Sequence, residues 1–111
     1  MENTFYVSLS PAQAICEIDN AIINGSITGE KIDEYTQCTP DGKQFYVVIY
    51  EKHYWRASNR LTLTVILDDF AGSTRVHCIG GGGGEGLFRF DWGASYSFQE
   101  AAAKALMPYR I

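Results

Sequence analysis

Two hydrophobic periods divide the chain. Ile15, Ile18 and Ile22 recur at the spacing of one helix face. Ser10 stands just before them as an N-cap, with Pro11 at the first helical position and Gln13 placed to close a capping box. Asn24-Gly25 then predicts a left-handed helix end. From residue 33 the period changes to two. Residues 33–39, 45–55, 61–68 and 74–79 read as strands, and residues 5–9 as a further short strand ahead of the helix. The clearest alternation is Leu61, Leu63, Val65 and Leu67 against Thr62, Thr64, Ile66 and Asp68. Pro40-Asp41-Gly42 and residues 69–73 supply turns. Ser97 with Glu100 reads as a second capping box, opening a helix through Ala101-Ala102-Ala103 to Met107 and stopped by Pro108.

The order β-α-β-β-β-β-α predicts an α+β fold: an antiparallel sheet of about five strands with two helices packed on one face. That order resembles TATA-binding-protein-like folds and a reduced helix-grip domain, a likeness of fold that carries no activity with it. With no internal repeat and no linker, residues 1–111 read as a single α+β domain.

Helices on one face leave the other to be explained. The strand at 45–55 offers two rows, Phe45, Val47, Ile49, Glu51, His53 and Trp55 or Tyr46, Val48, Tyr50, Lys52, Tyr54 and Arg56. Both begin apolar. Tyrosine hydroxyls and cationic tips tolerate water, so the tyrosine row is expected on the open face, beside Thr62, Thr64, Arg75 and His77. An open face of this kind predicts a homodimer, with a small ligand held on the sheet as the alternative.

Composition narrows the classes. Hydrophobic residues at 46% and charged residues at 20% describe a globular chain. A net charge of −4 argues against a nucleic-acid partner. Cys16, Cys38 and Cys78 lack the spacing of a zinc knuckle or redox pair, so buried free thiols in a reducing cytoplasm are expected. The chain shows no signal-peptide pattern and no apolar run of spanning length, which predicts a soluble, cytoplasmic protein with no membrane partner.

Five consecutive glycines at 80–84 are the least ordinary segment. Gly81, Gly83 and Gly86 match a dinucleotide fingerprint in spacing, but Leu87-Phe88-Arg89-Phe90 after them is strand-like, where that motif needs a helix N-terminus. A phosphate loop lacks its lysine. What remains is a pliable crossing, or an anion-binding nest of bare amides opposed by Glu85 and Asp91. His77 and Cys78 point to opposite faces of one strand and cannot share a metal. No nucleophile, metal set or acid–base pair stands out, so no cofactor, metal or catalytic residue is assigned and an enzyme is the least supported class. The leading expectation is a non-enzymatic interaction or dimerisation module. The alternative is a binding protein for a small anionic ligand, lined by Tyr46, Tyr50, Arg56, Arg60, Arg75 and His77 beside Gly82 and Gly83.

Three segments carry a resemblance: Arg56-Ala57-Ser58-Asn59-Arg60, Thr74-Arg75-Val76-His77, and the glycine run leading into Phe90-Asp91-Trp92-Gly93-Ala94. On these the chain resembles a family of small bacterial proteins, mostly from Firmicutes, that carry a domain of unknown function. The resemblance spans nearly the whole chain. It implies a stand-alone cytoplasmic bacterial protein and supplies no catalytic residue.

Overall fold

The computed structural model describes residues 3–25, 28–54, 59–82 and 92–111. Strand β1 (Thr4–Val7) leads into helix α1 (Pro11–Asp19), followed by β2 (Glu30–Cys38), β3 (Gln44–Tyr54), β4 (Asn59–Asp68), β5 (Thr74–Gly82) and helix α2 (Trp92–Leu106). All strand pairs are antiparallel, in the order β1-β5-β4-β3-β2. The expected α+β class and element order are those observed.

Helix α1 starts where its capping chemistry says it should. The Ser10 hydroxyl accepts from the Gln13 N–H, and the Gln13 side chain accepts from the Ser10 N–H. Its end differs from expectation. A π-helical turn (Asn20–Asn24) continues it, and Gly25 sits at φ −89°, outside the left-handed region. Glycine serves there for close approach, because a Cβ on Gly25 would collide with the Ala21 carbonyl oxygen. Gly29 repeats the device, its missing Cβ lying against the Ile22 carbonyl oxygen. The left-handed glycines are Gly42 (φ +89°) and Gly72 (φ +101°), in the β2–β3 and β4–β5 turns.

Ala14, Ile15 and Ile18 of α1, Ile22 of the π turn and Phe98, Ala102, Ala103 and Leu106 of α2 are buried together with Leu61, Leu63, Val65 and Leu67 of β4. Phe5, Val7, Val76 and Cys78 extend that core across β1 and β5. Both helices therefore cover one face. Helix α2 begins at Trp92, so Ser97 and Glu100 lie inside it and do not form its cap. A serine within a helix is tolerated, and its spacing to a glutamate does not by itself mark a start. Pro108 falls in a short 3-10 turn (Met107–Tyr109) after the helix. Strand β2 starts at Glu30, earlier than the alternation suggested, because a bulge between Lys31 and Asp33 shifts the register and hides the period.

The close approach at Gly29 gives a test. Gly29→Ala should destabilise the protein by about 1–3 kcal/mol in chemical denaturation, the cost of forcing a methyl into occupied space. A loss much below that range would remove the close-approach account.

Candidate functional site

Register decides what the sheet exposes. Strand β3 pairs with β4 so that Tyr46 meets Leu67, Val48 meets Val65, Tyr50 meets Leu63 and Lys52 meets Leu61. The leucine–valine row of β4 lies under the helices, and the tyrosine row goes inward with it. This corrects the expected facing. Val48 and Tyr50 are both fully buried, at 0% exposure. The tolerance of a tyrosine tip for water loses to a specific partner: the Tyr50 hydroxyl donates to Asp19 Oδ1 at 2.6 Å. Lys31 Nζ donates to Asp19 Oδ2 at 3.0 Å and to Glu34 Oε1 at 2.7 Å. Burial, reinforced by the Asp19 carboxylate, pushes the Tyr50 phenol well above its usual pKa.

The face left open carries Phe45, Val47, Ile49, Glu51 and His53 of β3 with Arg60, Thr62, Thr64, Ile66 and Asp68 of β4. Arg75, His77 and Ile79 of β5 and Tyr35 of β2 flank them. Across the strands Tyr35 opposes Val47, Val47 opposes Ile66, and Thr64 stands between Ile49 and Ile79. The result is a continuous apolar centre. Tyr35 is 52% exposed and Ile79 44%, while Phe70 in the β4–β5 turn stacks on Phe45 with ring centroids 6.2 Å apart.

Ion pairs bound this centre at both ends of β4. Arg60 Nη1 lies 3.2 Å from Glu51 Oε1, and Arg75 Nη2 lies 3.0 Å from Asp68 Oδ2. The Asp68 hydrogen bond and charge raise the Arg75 guanidinium further above its ordinary value. His77 Nδ1 is 2.6 Å from Thr4 Oγ1. Among the sequence-derived site residues, the fold puts Arg60, Arg75 and His77 on the open face, with Arg60 at the opposite end of β4 from the other two, and places Tyr46 and Tyr50 on the helix side. Gly80, Gly81 and Gly82 belong to β5, and the Gly80 N–H donates to Gln99 of α2 at 3.1 Å. Arg56 and Gly83, with the remaining glycines, Glu85 and Asp91, lie outside the described residues.

Other candidate chemistry is occupied or dispersed. An open cleft of about 550 Å³ lies where β1 meets α1, lined by Ser10, Gln13, Asp69 and Thr74 among others. Ser10 and Gln13 are held in the capping box. Asp69 accepts from the Gln44 N–H at 2.7 Å, and Thr74 donates to the Leu9 carbonyl at 2.6 Å. Among the described residues, no three His, Cys, Asp or Glu side chains group to hold a metal, and no helix is long and apolar enough to cross a membrane. Only Cys78 is a buried thiol, pushed up to about 12 by burial, whereas Cys16 and Cys38 are exposed, contrary to the expectation for all three. The open-face apolar row was missed because it alternates as well as the tyrosine row. Its signal was the odd parity of the β3–β4 register, visible only once those strands pair.

The model of a family of unknown function (DUF6054) matches residues 2–110, and the chain belongs to that family. No curated protein and no solved structure matches the chain.

The Tyr50–Asp19 contact makes an asymmetric prediction. Asp19→Ala leaves a buried hydroxyl without its acceptor and should cost about 1–3 kcal/mol, whereas Tyr50→Phe should cost nearer 1 kcal/mol. The folded-state phenol pKa is raised above the unfolded value of 10.0, so its contribution is complete below pH 10 and is lost as pH rises past it. The stability of wild type should therefore fall more steeply above pH 10 than that of Tyr50→Phe. Cys78, ionising from 9.0 unfolded towards about 12 folded, adds the same loss to both proteins and cancels in the difference. Equal alkaline slopes would remove the buried-phenol account.

Proposed function

We propose that the chain is a non-enzymatic association module that pairs with a second copy of itself through the open sheet face. The observation that carries this reading is the apolar centre running through Tyr35, Val47, Ile66 and Ile79, with ion pairs at its ends. That arrangement is the usual anatomy of a protein interface, an apolar middle within a polar rim.

Size and charge favour a second copy. A sheet of this extent presents on the order of 700 Å² per face at ordinary strand spacing and rise. A stable interface uses about 800 Å² per partner. On β3, β4 and β5 the acids Glu51 and Asp68 balance Arg60 and Arg75, so a chain of net charge −4 can approach its copy there with little repulsion. The two ion pairs stand about 27 Å apart along β4 by strand rise. A twofold axis lying across the strands would set each pair against the other pair of the partner, giving a self-complementary contact. A bacterial, cytoplasmic setting is part of this reading, since reducing conditions would keep the exposed Cys16 and Cys38 as thiols.

Sedimentation velocity across micromolar concentrations tests it. The wild type should reach at least twice the 12.4 kDa chain mass, and Ile66→Glu should halve the sedimenting mass with unchanged far-UV circular dichroism. A wild type that is monomeric throughout would overturn the pairing. If such a monomer also gained thermal stability with inorganic phosphate, a small anionic ligand beside Arg75 and His77 would take its place.

A further inference from the structure

The two edges of the sheet are not alike. At β1 the C-terminal segment closes the edge: Ser8 N–H donates to the Tyr109 carbonyl at 2.8 Å, Ile111 N–H donates to the Tyr6 carbonyl at 3.1 Å, and Val7 bridges to Arg110. At the other side β2, nine residues long, has every residue exposed except Lys31. Open edges invite pairing with another strand.

The turn after β2 fixes which main-chain groups face outward. Thr39 N–H donates to the Lys43 carbonyl at 2.8 Å. Antiparallel alternation then points Gln37 and Tyr35 at β3, and Cys38, Thr36 and Glu34 out to the free edge. The outward Glu34 N–H is taken by its neighbour, donating to Asp33 Oδ1 at 2.9 Å. That contact, the bulge beyond it and the charges of Glu30, Asp33 and Glu34 defend the first half of the strand. The second half, Tyr35-Thr36-Gln37-Cys38, carries no charge, and among the described residues no side chain takes its outward N–H groups.

We infer that this uncharged half of β2 pairs antiparallel with the same segment of a second copy, with Thr36 opposite Thr36 on the twofold axis. In that register every outward-facing residue meets another outward-facing residue. The Thr36 N–H and carbonyl bond their symmetry mates, and the Cys38 N–H meets the Glu34 carbonyl of the other copy. Tyr35 falls beside Gln37 across the junction on the open face, where Gln37 Nε2 already donates to Tyr35 Oη at 2.6 Å within one chain. Glu34 never faces Glu34. Centring the pairing on Glu34 would put like charges together, and centring it on Gln37 would oppose Glu34 to Pro40, which has no N–H to give. Because the β1 edge is closed, edge pairing joins two sheets and adds no third. It lies on a different side of the molecule from the open face, so it is independent of the pairing proposed there.

Cysteine cross-linking reads the register directly. In a Cys16→Ser, Cys38→Ser background, Thr36→Cys should form an intermolecular disulfide under mild oxidation at least about tenfold faster than Gln37→Cys, because only the self-opposed position brings Cα atoms within about 5.5 Å. Adding Ile66→Glu, which breaks the open-face contact, should leave that rate unchanged. Equal rates at 36 and 37, no cross-link at either, or a cross-link that vanishes with Ile66→Glu would each overturn the edge pairing. The last result would attribute the encounter to the open face instead, so failure here and failure of the face reading give different patterns.

Discussion

A phenol buried with no access to water must find an acceptor inside the protein, and for Tyr50 that acceptor is Asp19. The contact joins the end of helix α1 to strand β3. Lys31 from the edge strand β2 holds the second oxygen of the same carboxylate, so the helix and two neighbouring strands meet at one side chain. Lys31 is drawn back to Glu34 as well, and those hydrogen bonds and charges hold its ammonium above its ordinary pKa although burial works the other way. Sliding β3 by one residue against β4 would carry Tyr50 to the open face while Leu63 and Leu67 stayed under the helices, and Asp19 would lose its phenol donor.

The exposed surface follows from that choice. Once the row with polar tips is inside, the row outside is Phe45, Val47 and Ile49, and β4 and β5 add Ile66 and Ile79. Nothing polar in the core is left unmatched, since every buried side-chain nitrogen and oxygen among the described residues has a partner. The chemistry is therefore spent on holding the fold, and what faces outward is an apolar band with ion pairs at its ends. The C-terminal segment adds a second asymmetry. Tyr109 donates to Glu17 of α1 at 3.0 Å while Arg110 lies over the Phe5 ring, 5.2 Å from its centroid. Both contacts fasten the segment that closes the β1 edge.

Much of this was legible from local pattern. Ser10, Pro11 and Gln13 mark the start of α1 through contacts only three residues apart. The inward row of β4 and the split of Val76 and Cys78 from Arg75 and His77 are each visible within one strand. The failures share a cause. Gly25 looked like a left-handed cap, yet it serves a close approach to Ala21, and Ser97 looked like a helix start, yet α2 already covers it. The glycines at 80–82 looked like loop, but strand pairing to Leu61, Thr62 and Leu63 and a hydrogen bond donated by Gly80 to α2 extend β5 through them.

Sequence alone determined the order of elements, the α+β class and the apolar rows of α1, β4 and β5, because each depends on side chains a few residues apart repeating at a helical or strand period. It could not decide which row of β3 faces the helices. Both rows are apolar at one end and polar at the other, and local periodicity is the same for either. That decision belongs to the β3–β4 register and to a hydrogen bond between residues 19 and 50. With it came the open face and the separation of the tyrosines from Arg60, Arg75 and His77.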